Sequence, residues 1–141
     1  MANEWDLIAV VNADGFCRTV SVTVADATAI PKGTLITMSS DPNTGLAHAA
    51  GTGEIPLGIT LQEKVANDGT TRMALAIDGI WDVVAKGAIA LGDTVMPGAT
   101  ANMVSVTPGG SLSVGNISRF MGICLETATD AERVLIRLKL G

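Results

Sequence analysis

Short runs in which apolar and polar residues alternate recur along the chain, separated by turn-forming residues. Residues 18–24 (RTVSVTV) have an apolar side chain at every second position, the period of a strand with one face in solvent. Residues 57–65 and 70–77 flank Asn67-Asp68-Gly69. Together they predict a β-hairpin, because Asn and Gly accept the positive φ angles of a tight turn. Asp78-Gly79 is predicted to turn the chain again.

The C-terminal segment, residues 130–140 (DAERVLIRLKL), is compatible with two structures. Asp130 could cap a helix. Against a helix, every second residue is apolar and Arg137 and Lys139 lie between them; the apolar residues are Val134, Ile136, Leu138 and Leu140. We therefore predict a strand.

One pattern occurs twice in the same order. Its three blocks are an AI..G motif (residues 29–33 and 88–92), a GI.L motif (58–62 and 122–126), and an arginine before alternating apolar residues (72–77 and 133–138). Gly33 and Gly92 predict equivalent turns. Gly58 and Gly122 predict a close backbone approach or a bulge within a strand.

These elements predict a single all-β domain over residues 1–141, a small β-barrel or β-sandwich built from two internal repeats with an extended N-terminal arm. Its predicted segments are the arm and first strands (1–28), copy one (29–78), a link (79–87) and copy two (88–140). Hydrophobic residues make up 48% of the chain and aromatic residues only 3%. The predicted core is therefore built from thin aliphatic side chains, which suit closely spaced sheets.

Charge and hydropathy exclude several classes of partner. The net charge is -5 and no basic cluster occurs, so we expect no binding to nucleic acid. No apolar run reaches the roughly 18 residues of a membrane span, and the N-terminus is acidic where a signal peptide is basic, so we expect no membrane partner and synthesis in the host cytoplasm. Cys17 and Cys124 are predicted to be reduced thiols in preference to a disulfide.

Candidate reactive groups are few and scattered. His48 lies in a polar loop with no recognisable partner for catalysis. Asp41 begins a stretch similar to a calcium loop, but Thr52 occupies the position of the closing glutamate. Lys64 suggests a lipoyl or biotinyl carrier domain, yet it does not lie at the hairpin tip. We predict no catalytic residue, no metal site and no cofactor, and therefore a structural or binding role.

The repeated motifs resemble a known family. The order of AI..G, GI.L, DGIWDVVAKGAIALGDTVMPG, GICLE and RVLIRL over residues 29–140 resembles the small capsid cement, or decoration, proteins of tailed bacteriophages. The resemblance implies a β-rich protein that binds the major capsid protein on the outer surface of the virion and stabilises the capsid lattice. It also implies a homo-oligomer, with a trimer favoured over a dimer.

Two sets of residues are candidates for contact surfaces. The N-terminal arm lies outside the repeats and supplies the predicted capsid interface: Glu4, Trp5, Leu7, Ile8 and Val10. The alternative is that Trp5 packs under its own barrel. Trp81 and Val83 are predicted to belong to the core or to an oligomer interface.

Two other functional classes remain open. One is another non-enzymatic phage β-module, such as a tail, fibre or carbohydrate-binding domain. Carbohydrate binding usually recruits exposed aromatic side chains, and the chain has only two Trp, two Phe and no Tyr. The other class is an enzyme or a carrier domain, which the scarcity of reactive groups disfavours.

Overall fold

The computed structural model describes residues 6–9, 18–38, 44–47, 54–107 and 119–140, with the backbone alone for residues 6–9, 46 and 47. Within these ranges the chain is all-β, as predicted. The strands are β1 (Asp6–Ala9), β2 (Thr19–Thr23), β3 (Leu35–Met38), β4 (Gly45–Ala47), β5 (Pro56–Thr60), β6 (Arg72–Ala76), β7 (Asp78–Val84), β8 (Thr94–Pro97), β9 (Val104–Val106), β10 (Gly122–Cys124) and β11 (Arg133–Lys139).

The strands form two antiparallel sheets with the same internal order. The five-stranded sheet runs β2-β6-β5-β3-β4, and the six-stranded sheet runs β1-β7-β11-β10-β8-β9. Matching β2 to β7, β6 to β11, β5 to β10, β3 to β8 and β4 to β9 makes the two orders identical, with β1 as the extra strand. The origin of this arrangement in a duplicated sequence stays a prediction.

Backbone hydrogen bonds at matched positions follow the same correspondence. Ile30 and Lys64 exchange two bonds, of 2.9 and 2.8 Å, and Ile89 and Ala128 exchange two of 2.9 Å. Gly33 and Gly92 have φ angles of 78° and 85° and lie at equivalent turns, as the AI..G motif predicts. The two halves therefore share local geometry as well as strand order.

Each sheet curls until the first and last of its five matched strands approach each other. Thr23 of β2 forms a parallel bridge with Thr44, and Ala85, after β7, forms one with Val104 of β9. The first curl encloses a cluster of Val22, Val24, Ile30, Ile36, Met73 and Leu75. The larger core cluster, that of the second sheet, also includes Leu35, Ile59 and Ala76 from the first sheet, so the two sheets share this core.

The predicted close approach at Gly58 and Gly122 is confirmed. A Cβ atom at Gly58 would lie 2.6 Å from the Leu75 Cβ and 2.8 Å from the Ala76 carbonyl oxygen. A Cβ atom at Gly122 would overlap the Arg137 carbonyl. In each GI.L motif the glycine lets β5 or β10 lie against the next strand of the sheet.

Several predicted strands are confirmed, and one predicted turn is wrong. Residues 18–24 contain β2, and residues 130–140 contain β11 rather than a helix. The predicted hairpin pairs β5 with β6, but its first strand ends at Thr60. Asp78-Gly79 does not reverse the chain: both residues belong to β7 and pair with β11. The chain passes from one sheet to the other there, and Gly79 has a φ of 107°.

The first strand of each repeated sheet lies wholly or mostly outside the two repeat copies that the sequence predicts. β2 falls in residues 1–28, and most of β7 falls in the predicted link, residues 79–87. The sequences of β2 (TVSVT) and β7 (DGIWDVV) share no motif, so the repeated pattern could not identify them as partners.

Candidate interaction surfaces

The predicted capsid-interface segment is only partly described. Leu7 and Ile8 belong to β1, which pairs antiparallel with β7 at the edge of the six-stranded sheet, with Leu7 opposite Trp81. The described part of the predicted arm is therefore an edge strand of its own sheet. Glu4, Trp5 and Val10 lie outside the described residues, and the role of the segment in capsid contact stays a prediction.

Trp81 and Val83 are core residues. Trp81 is 2% exposed and Val83 is fully buried. The Trp81 Nε1–H donates to the Asp78 carbonyl oxygen at 3.0 Å. The Asp78 carboxylate is itself buried and accepts from the Arg18 backbone N–H at 2.9 Å and from the Arg18 Nε at 2.7 Å. The indole therefore has a packing role in this chain and is not a surface platform for a ligand.

Two pairs of exposed apolar side chains lie on neighbouring backbone segments. Leu91 is 68% exposed and Leu125 is 38% exposed. Their segments are joined by a hydrogen bond of 2.9 Å from the Gly92 N–H to the Cys124 carbonyl. In the other half of the fold, the Met38 backbone N–H donates to the Ile55 carbonyl at 2.8 Å. The side chains of both residues are exposed. Both pairs are candidate contact surfaces.

Lys64 is a buried cation held by backbone and carboxylate oxygens. Its side chain is 1% exposed, and its Nζ donates to the Asp26 carbonyl at 2.6 Å and to the Val65 carbonyl at 3.2 Å. Carboxylate oxygens of Asp68 and Asp26 lie 3.3 and 3.6 Å from the same Nζ. The ammonium group thus links the segment between β5 and β6 to the turn that follows β2. It does not project into solvent as the lysine of a carrier domain does.

Asp68 organises the hairpin tip next to this lysine. Backbone hydrogen bonds from Thr70, above all, and from Val65, together with the Lys64 side chain, lower the pKa of Asp68 from 3.8 to about 2. Asn67 and Gly69 on either side have φ angles of 61° and 84°, as the Asn-Asp-Gly turn requires. The carboxylate is therefore ionised at neutral pH and holds the turn.

The remaining candidates for chemistry are not brought together in the described residues. His48, Asp41 and Cys17 lie outside them. Cys124 is a buried free thiol whose pKa is raised by burial, and its Sγ contacts the Glu126 carbonyl. Within the described ranges no group of three or more His, Cys, Asp or Glu side chains is placed to hold a metal ion, and no pocket is found. No helix in those ranges is long and apolar enough to cross a membrane.

Sequence reasoning did not identify two features of these surfaces. The sequence places Lys64 on a hairpin arm and does not indicate that its side chain is buried. The residue at the matched position of the second half is Ala128, which is small, apolar and also buried. The other feature is the outer edge of β2, which pairs with no described strand and depends on which strands lie at the ends of each sheet. That order is a tertiary property that alternation alone does not encode.

Comparison with known proteins gives a family and a fold. The family model described as phage cement protein matches residues 14–140. Among solved structures, the base of the head fibre protein gp8.5 of bacteriophage phi29 is similar, with a TM-score of 0.54 and 16% sequence identity, over 89% of this chain and 97% of that chain. At this identity the likeness shows a common fold. No curated protein matches the chain significantly.

Proposed function

The chain belongs to the phage cement protein family, whose members are capsid-associated structural proteins, and we propose that it binds the outer surface of a phage head and stabilises the lattice of the major capsid protein. The observation that carries this proposal is the extent of the family match, which spans residues 14–140 and so includes both sheets apart from β1.

The outer surface is favoured by charge. The chain has a net charge of -5. The interior of a filled head is occupied by DNA, a dense polyanion that repels an acidic protein. An acidic protein is free of that repulsion on the outside of the shell.

Adhesion requires contact area and rigidity rather than reactive groups. A stable protein–protein contact buries about 1,200 to 2,000 Å² in total. The two sheets share one core and present exposed apolar side chains at Leu91, Leu125, Met38 and Ile55. We propose that the N-terminal segment, with Trp5 as its anchor, contributes to the contact with the capsid protein.

The proposed role is not enzymatic. Lys64, the residue that suggests a carrier domain, is held by four oxygen atoms inside the fold. Attachment of a lipoyl or biotinyl group would require it to leave that position. The proposal also includes self-association into a homo-oligomer, with a trimer favoured over a dimer, because symmetric repetition multiplies a small contact area.

The test is addition of the purified protein to undecorated heads of the phage that encodes it. We expect saturable binding and a higher temperature of capsid disruption. A matched sample lacking residues 2–8 tests the arm separately: reduced occupancy with an unchanged unfolding temperature supports it, and full occupancy refutes it. Absence of binding by the full chain would refute the cement role.

A second candidate is another phage β-module, which the fold likeness to a head fibre base favours. Purified tails and heads would be offered to the protein in parallel. Binding to tails alone would support a tail module, and binding to heads at far fewer positions than the capsid lattice offers would support a fibre base. Either result would contradict the cement role.

A further inference from the structure

The same sheet edge is paired with a strand in one half of the fold and, within the described residues, unpaired in the other. On the outer edge of β7, β1 pairs with the stretch from Ile80 to Asp82. β2 is the matched strand of the other sheet, with Thr19–Ser21 in the place of Ile80–Asp82. No strand of the described residues pairs with that side of Thr19–Ser21.

The backbone of β2 is oriented to accept a further strand. The Arg18 carbonyl accepts from the Ile77 N–H at 3.0 Å, and the Val24 N–H donates to the Thr71 carbonyl at 2.9 Å. In an antiparallel ladder successive residues point to opposite sides. Thr19 and Ser21 therefore direct their backbone N–H and C=O groups away from β6, and residues 19–21 are all exposed.

A positive charge lies beside this edge. The Arg72 guanidinium donates to the Ser21 Oγ at 3.2 Å and the Thr23 Oγ1 at 3.3 Å, and its Nη2 lies 3.5 Å from the Ser21 carbonyl. No described carboxylate forms an ion pair with Arg72. In the other half, the matched Arg133 lies 3.6 Å from the Asp82 carboxylate, so its charge is already compensated.

The N-terminal strand carries a complementary charge. In its own chain, β1 pairs so that Asp6 lies opposite Asp82. Like charges directly opposite each other disfavour strand pairing. The matched position on β2 is Ser21, next to Arg72, where an aspartate is favoured.

We propose that the Thr19–Ser21 edge of β2 accepts the Asp6–Ala9 segment of a second copy of this chain as an antiparallel strand, in the register that β1 has on β7. In that arrangement the donated segment leaves the β7 edge of its own chain, where Asp6 lies opposite Asp82. The second copy's Asp6 then lies opposite Ser21 and beside Arg72, and its Leu7 lies opposite Val20. Backbone hydrogen bonds supply the contact, and the ion pair selects the segment.

This contact is heterologous, because each copy contributes one donor strand and one acceptor edge. Heterologous contacts that close form rings. The inference thus rests on the self-association part of the proposed function and gives it a route to a trimer. It needs no capsid, so its test is independent of capsid binding.

The test is disulfide trapping between two chains. In a Cys17→Ser background, chains with Leu7→Cys are mixed with chains with Val20→Cys and oxidised without capsids. With respect to the added strand, Val20 is at a non-hydrogen-bonded position, where the side chains of opposite residues are closest. We expect a cross-linked heterodimer of Leu7→Cys with Val20→Cys, identified by intact mass. The matched control replaces Val20→Cys by Val65→Cys, since Val65 is more exposed, at 61% against 39%.

Cross-linking at Val20 in clear excess over Val65 supports the proposal. Equal yields indicate random collision and overturn it. A Val20→Cys homodimer in the absence of Leu7→Cys overturns it in favour of β2 pairing with its own copy. In a chain carrying both cysteines, a purely intramolecular disulfide overturns it in favour of a hairpin within one chain.

A charge exchange supplies a second measurement that does not depend on cysteine chemistry. Asp6→Arg and Arg72→Glu should each weaken self-association about fivefold, and the double variant should restore it. Lys32→Glu makes the same charge change at an exposed position elsewhere in the first half and should have no effect. Failure of the double variant to recover, with both single variants folded, would contradict the proposed register.

Discussion

Replacement of Lys64 by methionine is expected to destabilise the fold although it makes the interior less polar. The variant keeps an unbranched side chain of similar length but removes the donor that serves the Asp26 and Val65 carbonyls at 2.6 and 3.2 Å and the Asp68 carboxylate at 3.3 Å. Those oxygens lose a charged partner at a position where the lysine side chain is 1% exposed.

The magnitude follows from the exposure of the acceptors. Removing one member of a fully buried ion pair costs about 3 to 5 kcal/mol. Here Asp26 and Asp68 are 41% and 31% exposed and recover water when the lysine is lost. We therefore expect a loss of about 2 kcal/mol in the free energy of unfolding.

Urea denaturation at pH 7 measures this loss, and Lys32→Met at an exposed turn is the matched control. The control should change the unfolding free energy by less than about 0.5 kcal/mol. Acetylation of the folded protein should modify Lys32 and spare Lys64. Equal stability of the two variants, or rapid acetylation of Lys64, would refute the structural role assigned to the buried ammonium.

Three further predictions concern the fold. Gly122→Ala should lower the free energy of unfolding, measured by urea denaturation, by about 3 kcal/mol or more, because the new Cβ would overlap the Arg137 carbonyl. Gly92→Ala has open space around the new Cβ but a φ of 85°, and should lower it by about 1 to 2 kcal/mol. Equal losses in the two variants would contradict the close approach at Gly122. The pKa of Asp68 is about 2 in the folded protein against an ordinary value of 3.8, so its stabilising effect is fully present above pH 4 and is lost as the pH falls toward 2. The difference in the free energy of unfolding between wild type and Asp68→Asn should shrink over that interval. A constant difference would refute the role assigned to the Asp68 carboxylate. The pKa of the Cys124 thiol is raised by burial. In a Cys17→Ser chain at pH 8, this thiol should therefore react with a thiol reagent only when the protein is unfolded. Fast reaction of the folded protein would contradict the buried position of Cys124.

Strand positions were predictable where alternation is strong. The valines of β2 and the apolar residues of β11 each face one side of a strand, and a period of two reports that directly. The glycines of the two GI.L motifs were also predictable, because a glycine within an apolar strand indicates a close backbone neighbour.

Other features depend on tertiary position, which the sequence pattern does not contain. Asp78-Gly79 has turn-forming residues, but pairing with β11 keeps both in a strand that crosses between sheets. Lys64 is charged, but oxygens from Asp26, Val65 and Asp68 converge on it only after folding. For the same reason the edge of β2 that no described strand covers follows from sheet order, which non-local pairing decides.

Cryo-electron microscopy of undecorated heads, with and without the purified protein, tests the central claim most directly. The account predicts added density on the outer face of the shell, at regular lattice positions, into which the two sheets fit with their shared core. Heads without added density at saturating protein, or density confined to the inner face, would contradict it.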